Sequence, residues 1–186
     1  VQTCALPILN PDDVIARYGA DAMRLFEMFM GPLEEMKPWS TNGVEGVYRF
    51  LNRVWRLFVD DEDRPDARIR QVTPSPELER VFHATVKKVG EDIEGLRFNT
   101  AISQLMIFVN EVMKAEQRPR AMLESFVLLL APFAPHVAEE LWSRLGHTAS
   151  LALEPWPVHD PAKIVSATVE VVLQVNGKLR SKMAVA

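Results

Sequence analysis

A mostly α-helical bundle followed by a β-hairpin is the fold this sequence predicts, on three observations. Apolar residues recur at helical spacing through most of the 186 residues. Proline, glycine and capping side chains punctuate those stretches at plausible helix lengths. After residue 167 the period changes to alternation, the mark of a strand.

The first helix starts at Asn10-Pro11, with Asn10 as N-cap and Pro11 where a missing N–H costs nothing. Gly19 fits the position that stops it. Asp21 is placed to cap a second helix carrying Met23, Leu25, Phe26, Met28, Phe29 and Met30, which Gly31-Pro32 ends. Residues 31–42 are rich in turn formers. Asn42 and Glu45 have capping-box spacing, and Val44, Val47, Tyr48, Leu51, Val54, Trp55 and Phe58 then mark one buried face. The charged stretch from Asp60 to Gln71, with Pro65 inside it, predicts an exposed connection.

Ser75 caps the next helix, which runs through Leu78, Val81, Phe82, Val86, Val89 and Ile93 to about Gly95. Asn99 is the expected cap of another, with Ile102, Leu105, Met106, Val109, Val112 and Met113 on its apolar face. Arg118-Pro119 is expected to begin a helix through Met122, Leu123, Phe126, Leu129 and Leu130, broken by Pro132 and Pro135. Pro135 starts a last helix through Val137, Leu141, Trp142 and Leu145, stopped by Gly146. Val169, Val171, Leu173 and Val175 then alternate with Thr168, Glu170, Val172 and Gln174. Asn176-Gly177 favours a type I′ turn, and Lys178 to Val185 makes the returning strand.

Composition narrows the function. Hydrophobic residues are 48% and charged residues 25%, enough apolar side chain for an ordered core. The net charge of −4 argues against a protein that coats nucleic acid or DNA by bulk charge, so an RNA contact would need a local basic face. The longest apolar run, Phe126 to Ala131, is far shorter than the roughly 20 residues of a membrane span. Val1 to Leu9 lacks the basic start of a signal peptide. Cys4 is the single cysteine, and His83, His136, His147 and His159 are scattered without ligand spacing. A reducing, intracellular setting follows from the cysteine count.

No catalytic constellation emerges, and no glycine-rich loop follows a strand to cradle phosphates. His136 reads as a structural or surface histidine beside Glu139 and Glu140, and the run Asp60, Asp61, Glu62, Asp63 as a solvated loop without metal spacing. One feature stands apart. Arg49, Asn52, Arg53 and Arg56 fall within about 100° of arc on the third helix, opposite its apolar stripe. Three arginines and an amide with no acid between them suit phosphate oxygens and ribose hydroxyls. The other reading is a solvated face paired with the acids at 60–63. Lys37 lies in the preceding loop, as does Trp39, a side chain that either stacks on a base or packs on its own domain.

Several strings resemble a known family. NPDDVI through YGADAMR (Asn10 to Arg24) is similar to the segment just after the KMSKS loop of class I aminoacyl-tRNA synthetases. GPLEEMKPWSTNGVEGVYRFLNRVWRL (Gly31 to Leu57) resembles the bacterial-type leucyl-tRNA synthetases in particular. LLLAPFAPHVAEELW (Leu128 to Trp142) resembles the anticodon-binding bundle shared by leucyl, isoleucyl, valyl and methionyl enzymes. LEPWP (Leu153 to Pro157) and QVNGKLR (Gln174 to Arg180) are again leucyl-like.

The resemblance implies a division into four parts. Residues 1–8 match nothing, 9–41 are the end of the catalytic core and stem-contact region, 42–158 form the anticodon-binding helical bundle, and 159–186 are expected to be the β-hairpin start of a truncated C-terminal domain. The family's HIGH motif, editing domain, zinc-binding insert and KMSKS loop have no counterpart here. The family attaches leucine to its tRNA with ATP and Mg, in the cytoplasm. For this chain the resemblance implies tRNA docking through Arg49, Asn52, Arg53, Arg56, Lys37 and Trp39, with no catalytic residue, no metal and no activity of its own. The missing catalytic and editing domains would be its partners in the full-length enzyme. A valyl or isoleucyl origin is the alternative, and a helical module that binds an acidic protein is another.

Overall fold

The computed structural model describes residues 10–35 and 37–165, and the backbone of residues 169–175 and 178–185. Seven helices run in chain order among them: α1 Pro11–Tyr18, α2 Ala20–Phe29, α3 Thr41–Phe58, α4 Pro76–Glu94, α5 Phe98–Lys114, α6 Arg120–Leu130 and α7 Pro135–Arg144. They share one core, from Val14 and Leu25 through Val54, Leu105 and Phe126 to Leu141 and Leu151. Two two-residue strands, β1 Ile69–Arg70 and β2 Arg118–Pro119, pair in parallel beside it. The antiparallel hairpin β3 Val169–Val175 and β4 Lys178–Val185 follows the alternating pattern, while the Asn176-Gly177 turn lies outside the described residues.

Local chemistry accounts for most boundaries. The Asn10 side chain accepts the Asp12 N–H at 3.1 Å, and Pro11 opens α1. Gly19 takes φ +87°, open to glycine alone at low cost, and its ψ of 157° turns the chain straight into α2. Ser75 accepts the Leu78 N–H at 3.2 Å and starts α4 as its sequence indicates. Helices α4 and α5 form a hairpin, and α7 ends where Gly146 takes φ +94°.

Five local readings need correction. Ser40, not Asn42, caps α3: its Oγ accepts the Gly43 N–H at 3.3 Å, while Glu45 accepts the Tyr18 hydroxyl instead of reaching back. The earlier start places Gly43 against α2, where a Cβ would collide with the Phe26 ring. Asn99 caps nothing. Helix α5 begins at Phe98 without a side-chain cap, and the fully buried Asp92 instead gathers Lys88, Arg97 and Thr100 at that corner. Arg118-Pro119 forms β2 rather than the first turn of α6, because Ile69 and Arg70 pair with it. The 60–71 stretch is exposed in part only, since Asp66 is 6% exposed.

Asp21 gives the fifth correction. It sits inside the first turn of α2, 5% exposed, and caps a different helix. Its Oδ2 accepts the Val137 N–H at 2.7 Å, and Oδ1 lies 2.7 Å from His136 Nδ1. Ala134 precedes α7 and has no side chain that can cap it, so the carboxylate comes from 116 residues upstream. Arg24 adds two hydrogen bonds to the Pro132 carbonyl. Asp21→Ala is therefore expected to lower the unfolding free energy by about 1–2 kcal/mol, read by urea denaturation.

Candidate nucleic-acid interface

Helix α3 carries the candidate face because its other side is committed to the core. Val44, Val47, Leu51, Val54 and Phe58 are buried as the period predicts, and Phe50 and Leu57 join them on the flank. Tyr48 and Trp55 do not complete the stripe. Tyr48 is 40% exposed and Trp55 half-buried, at its edge. On the opposite side Arg49, Asn52 and Arg56 are exposed, and Arg53 is half-buried between them.

Three of the four acids of the 60–63 loop are engaged elsewhere, and Asp61 is exposed without an ion pair among the described residues. Asp60 pairs with Arg64 at 3.1 Å and accepts the Glu62 and Arg64 N–H groups. Glu62 also pairs with Arg64, and Asp63 pairs with Arg144. Among the described residues no carboxylate forms an ion pair with Arg49, Arg53 or Arg56. The solvated-face alternative named these acids as partners, and the structure gives Asp60, Glu62 and Asp63 to other arginines.

Lys37 and Trp39 are not brought to this face. Lys37 pairs with Glu35 and runs over Gly31. Trp39 packs edge-on against Phe26, with ring centroids 5.0 Å apart, and its buried Nε1 has no partner among the described residues. The arginine face and the Trp39 loop are separate features.

A buried cation anchors the end of α3 that holds Arg56. Arg118 is 1% exposed, and its Nη1 donates to the carbonyls of Arg56 and Leu57 at 3.2 and 2.7 Å and to Asp66 Oδ2 at 3.0 Å. These carbonyls lie in the last turn of α3, where no intrahelical donor reaches them. Hydrogen bonds from Arg68 hold the Asp66 carboxyl down at about 2, against burial that would raise it. Burial lowers the Arg118 pKa, and the Asp66 charge offsets part of that. Sequence periodicity carries no signal for this cluster, whose members lie 52 residues apart.

Beside the arginine face, Tyr18, Tyr48, Asn52, Trp55, Asp21 and His136 line a cleft of about 320 Å³ between the α1–α2 junction, α3 and the start of α7. The rings of Tyr18 and Tyr48 meet edge-to-face at 5.7 Å, and the Arg144 guanidinium lies 4.8 Å from the Trp55 centroid. No three His, Cys, Asp or Glu residues among the described ones are grouped to hold a metal ion, and no helix there is long and apolar enough to cross a membrane.

Seven helices around one core, with a basic helix face turned outward, define an α-helical bundle domain. Residues 76–186 match the anticodon-binding domain of tRNA ligase, and the chain belongs to that family. It is similar to the leucine–tRNA ligase of Leptospira biflexa serovar Patoc (strain Patoc 1 / Ames), at 53% identity over 175 residues, 94% of this chain and 20% of that protein. Its fold is similar to the crystal structure of the ternary complex of Agrobacterium radiobacter K84 agnB2 LeuRS-tRNA-LeuAMS. There the TM-score is 0.75 and the identity 28%, over 95% of this chain and 24% of that one. The chain thus spans about a fifth of the length of its curated relative.

Proposed function

We propose that this chain is the tRNA-docking part of a leucine–tRNA ligase, acting in the cytoplasm within an enzyme that joins leucine to its tRNA with ATP and Mg. The observation that carries the reading is the outward face of α3, where Arg49, Asn52, Arg53 and Arg56 stand together with no acidic partner among the described residues. Guanidinium groups on a rigid helix suit phosphate oxygens in bidentate fashion, and the intervening amide suits a ribose or base edge. Shape and backbone contact dominate such docking on folded RNA. On this reading ATP and Mg are held by other modules of the enzyme, and the chain takes no step in adenylate chemistry.

The leucyl relative at 53% identity favours this over a valyl or isoleucyl origin. The test is a titration of leucine tRNA with the 186-residue chain over a range of salt, with an acidic protein in a parallel arm. Binding to tRNA that weakens linearly in log–log salt dependence, by about 0.7–0.9 per phosphate neutralised, is the expected result. Binding to the acidic protein alone would overturn the reading.

A further inference from the structure

We propose that the cleft between α1, α3 and α7 receives one unpaired base of the RNA whose phosphates lie on the arginine face. This rests on the docking function proposed above and adds a base-binding subsite to it. Tyr48, Asn52 and Trp55 occupy successive turns of α3, along the border between its buried stripe and its arginines. Periodicity assigns both aromatic residues to the core, yet the fold leaves Tyr48 40% exposed and Trp55 half-buried.

Both rings are held in place. Tyr48 meets the edge of Tyr18, and Trp55 carries on one side the Arg144 guanidinium, which Asp63 and Glu140 fix by ion pairs. A fixed aromatic ring with open surface is what an unstacked base needs, since stacking accepts any base and costs the protein little ordering. The exposed Asn52 amide between them offers a donor and an acceptor on one plane, matching the edge of a base. The cleft volume of about 320 Å³ is that of a small-ligand site.

The position of the arginines completes the argument. Asn52 is three residues from Arg49 and four from Arg56, so their Cβ atoms lie about 5–6 Å apart on adjoining rows of the helix. A nucleotide whose phosphate sits on the arginines therefore has its base beside Asn52 and the aromatic rings. A base still paired in a duplex presents only its edges, so the occupant is an unpaired one. The carboxylate at the cleft wall, Asp21, is 5% exposed and turned toward the Val137 N–H and the His136 ring rather than into the opening.

The experiment compares the 186-residue chain with its Tyr48→Leu and Asn52→Ala variants, each checked for an unchanged urea midpoint. The probe is a leucine tRNA transcript, with affinity, salt slope and base-by-base chemical reactivity as readouts. Each variant is expected to weaken binding about tenfold with the salt slope unchanged. In the unaltered complex one base should be protected on its Watson–Crick edge, and it should become reactive in both variants. If both variants bind as the parent does and no base changes reactivity, the cleft is not a base site, while the arginine docking reading stands. If the unaltered chain binds no tRNA, both readings fall.

Discussion

Asp66→Ala is expected to destabilise the protein by about 3–5 kcal/mol, because it strands a buried cation. Arg118 is 1% exposed and cannot turn to solvent without unmaking β2 and the end of α3. Its Nε already lacks a partner among the described residues, so Asp66 is the one carboxylate there that balances its charge. Urea denaturation followed by circular dichroism measures the loss, and a change under 1 kcal/mol would contradict it. Asp66→Ala with Arg118→Met should recover much of the loss, leaving the bare carbonyls of Arg56 and Leu57 as a residual deficit of about 1–2 kcal/mol. Acid should reveal the same pair. The Asp66 carboxyl lies at about 2 against an ordinary 3.8, so its contribution is present above about pH 4 and is lost as pH falls toward 2. Arg68 is half exposed, which limits that pH-linked part to about 1–2 kcal/mol. Asp66→Asn should therefore lack that limb of the acid titration.

Replacing Arg49, Arg53 and Arg56 together by Gln is expected to lower the salt slope of tRNA binding by about 2–3. At 0.1 M salt that counterion term corresponds to a loss of about a hundredfold or more in affinity. The fold should be spared, since Arg49 and Arg56 are exposed and Arg53 is half-buried, on the side of α3 away from the core. Val54→Asp is the opposing control: Val54 is fully buried, and an unpaired charge there should unfold the bundle. An unchanged slope in the Gln variant would remove this helix from the RNA contact.

How legible the molecule is depends on the distance between the groups that decide each feature. Helix α4 is set by Ser75, Pro76 and a run of apolar residues within its own length, and the sequence shows all of them. The start of α3 is harder, because Ser40 and Asn42 are both good caps. The choice falls to Phe26, which needs the bare Cα of Gly43. Asp21 looks like a local cap and serves a helix far along the chain, and Arg118 looks like a helix start until Asp66 is placed beside it. The arginine face is visible from spacing alone. That it stays unpaired is not, because the fold decides that Asp60 and Glu62 go to Arg64 and Asp63 to Arg144. Tyr48 and Trp55 are misjudged by the period for a related reason: it tells which residues share a side but not how far neighbouring helices extend over it.

The carboxylate of Asp21 also sets a schedule. Its acceptor sites are filled by N–H groups at His136 and Val137, so on a ribosome adding about 5–20 residues per second its partners emerge roughly 6–23 s after it does. During that interval α2 carries a charge that the finished core nearly excludes from water. The first turn of α2 therefore keeps its hydration until α7 arrives with the N–H groups that replace that water.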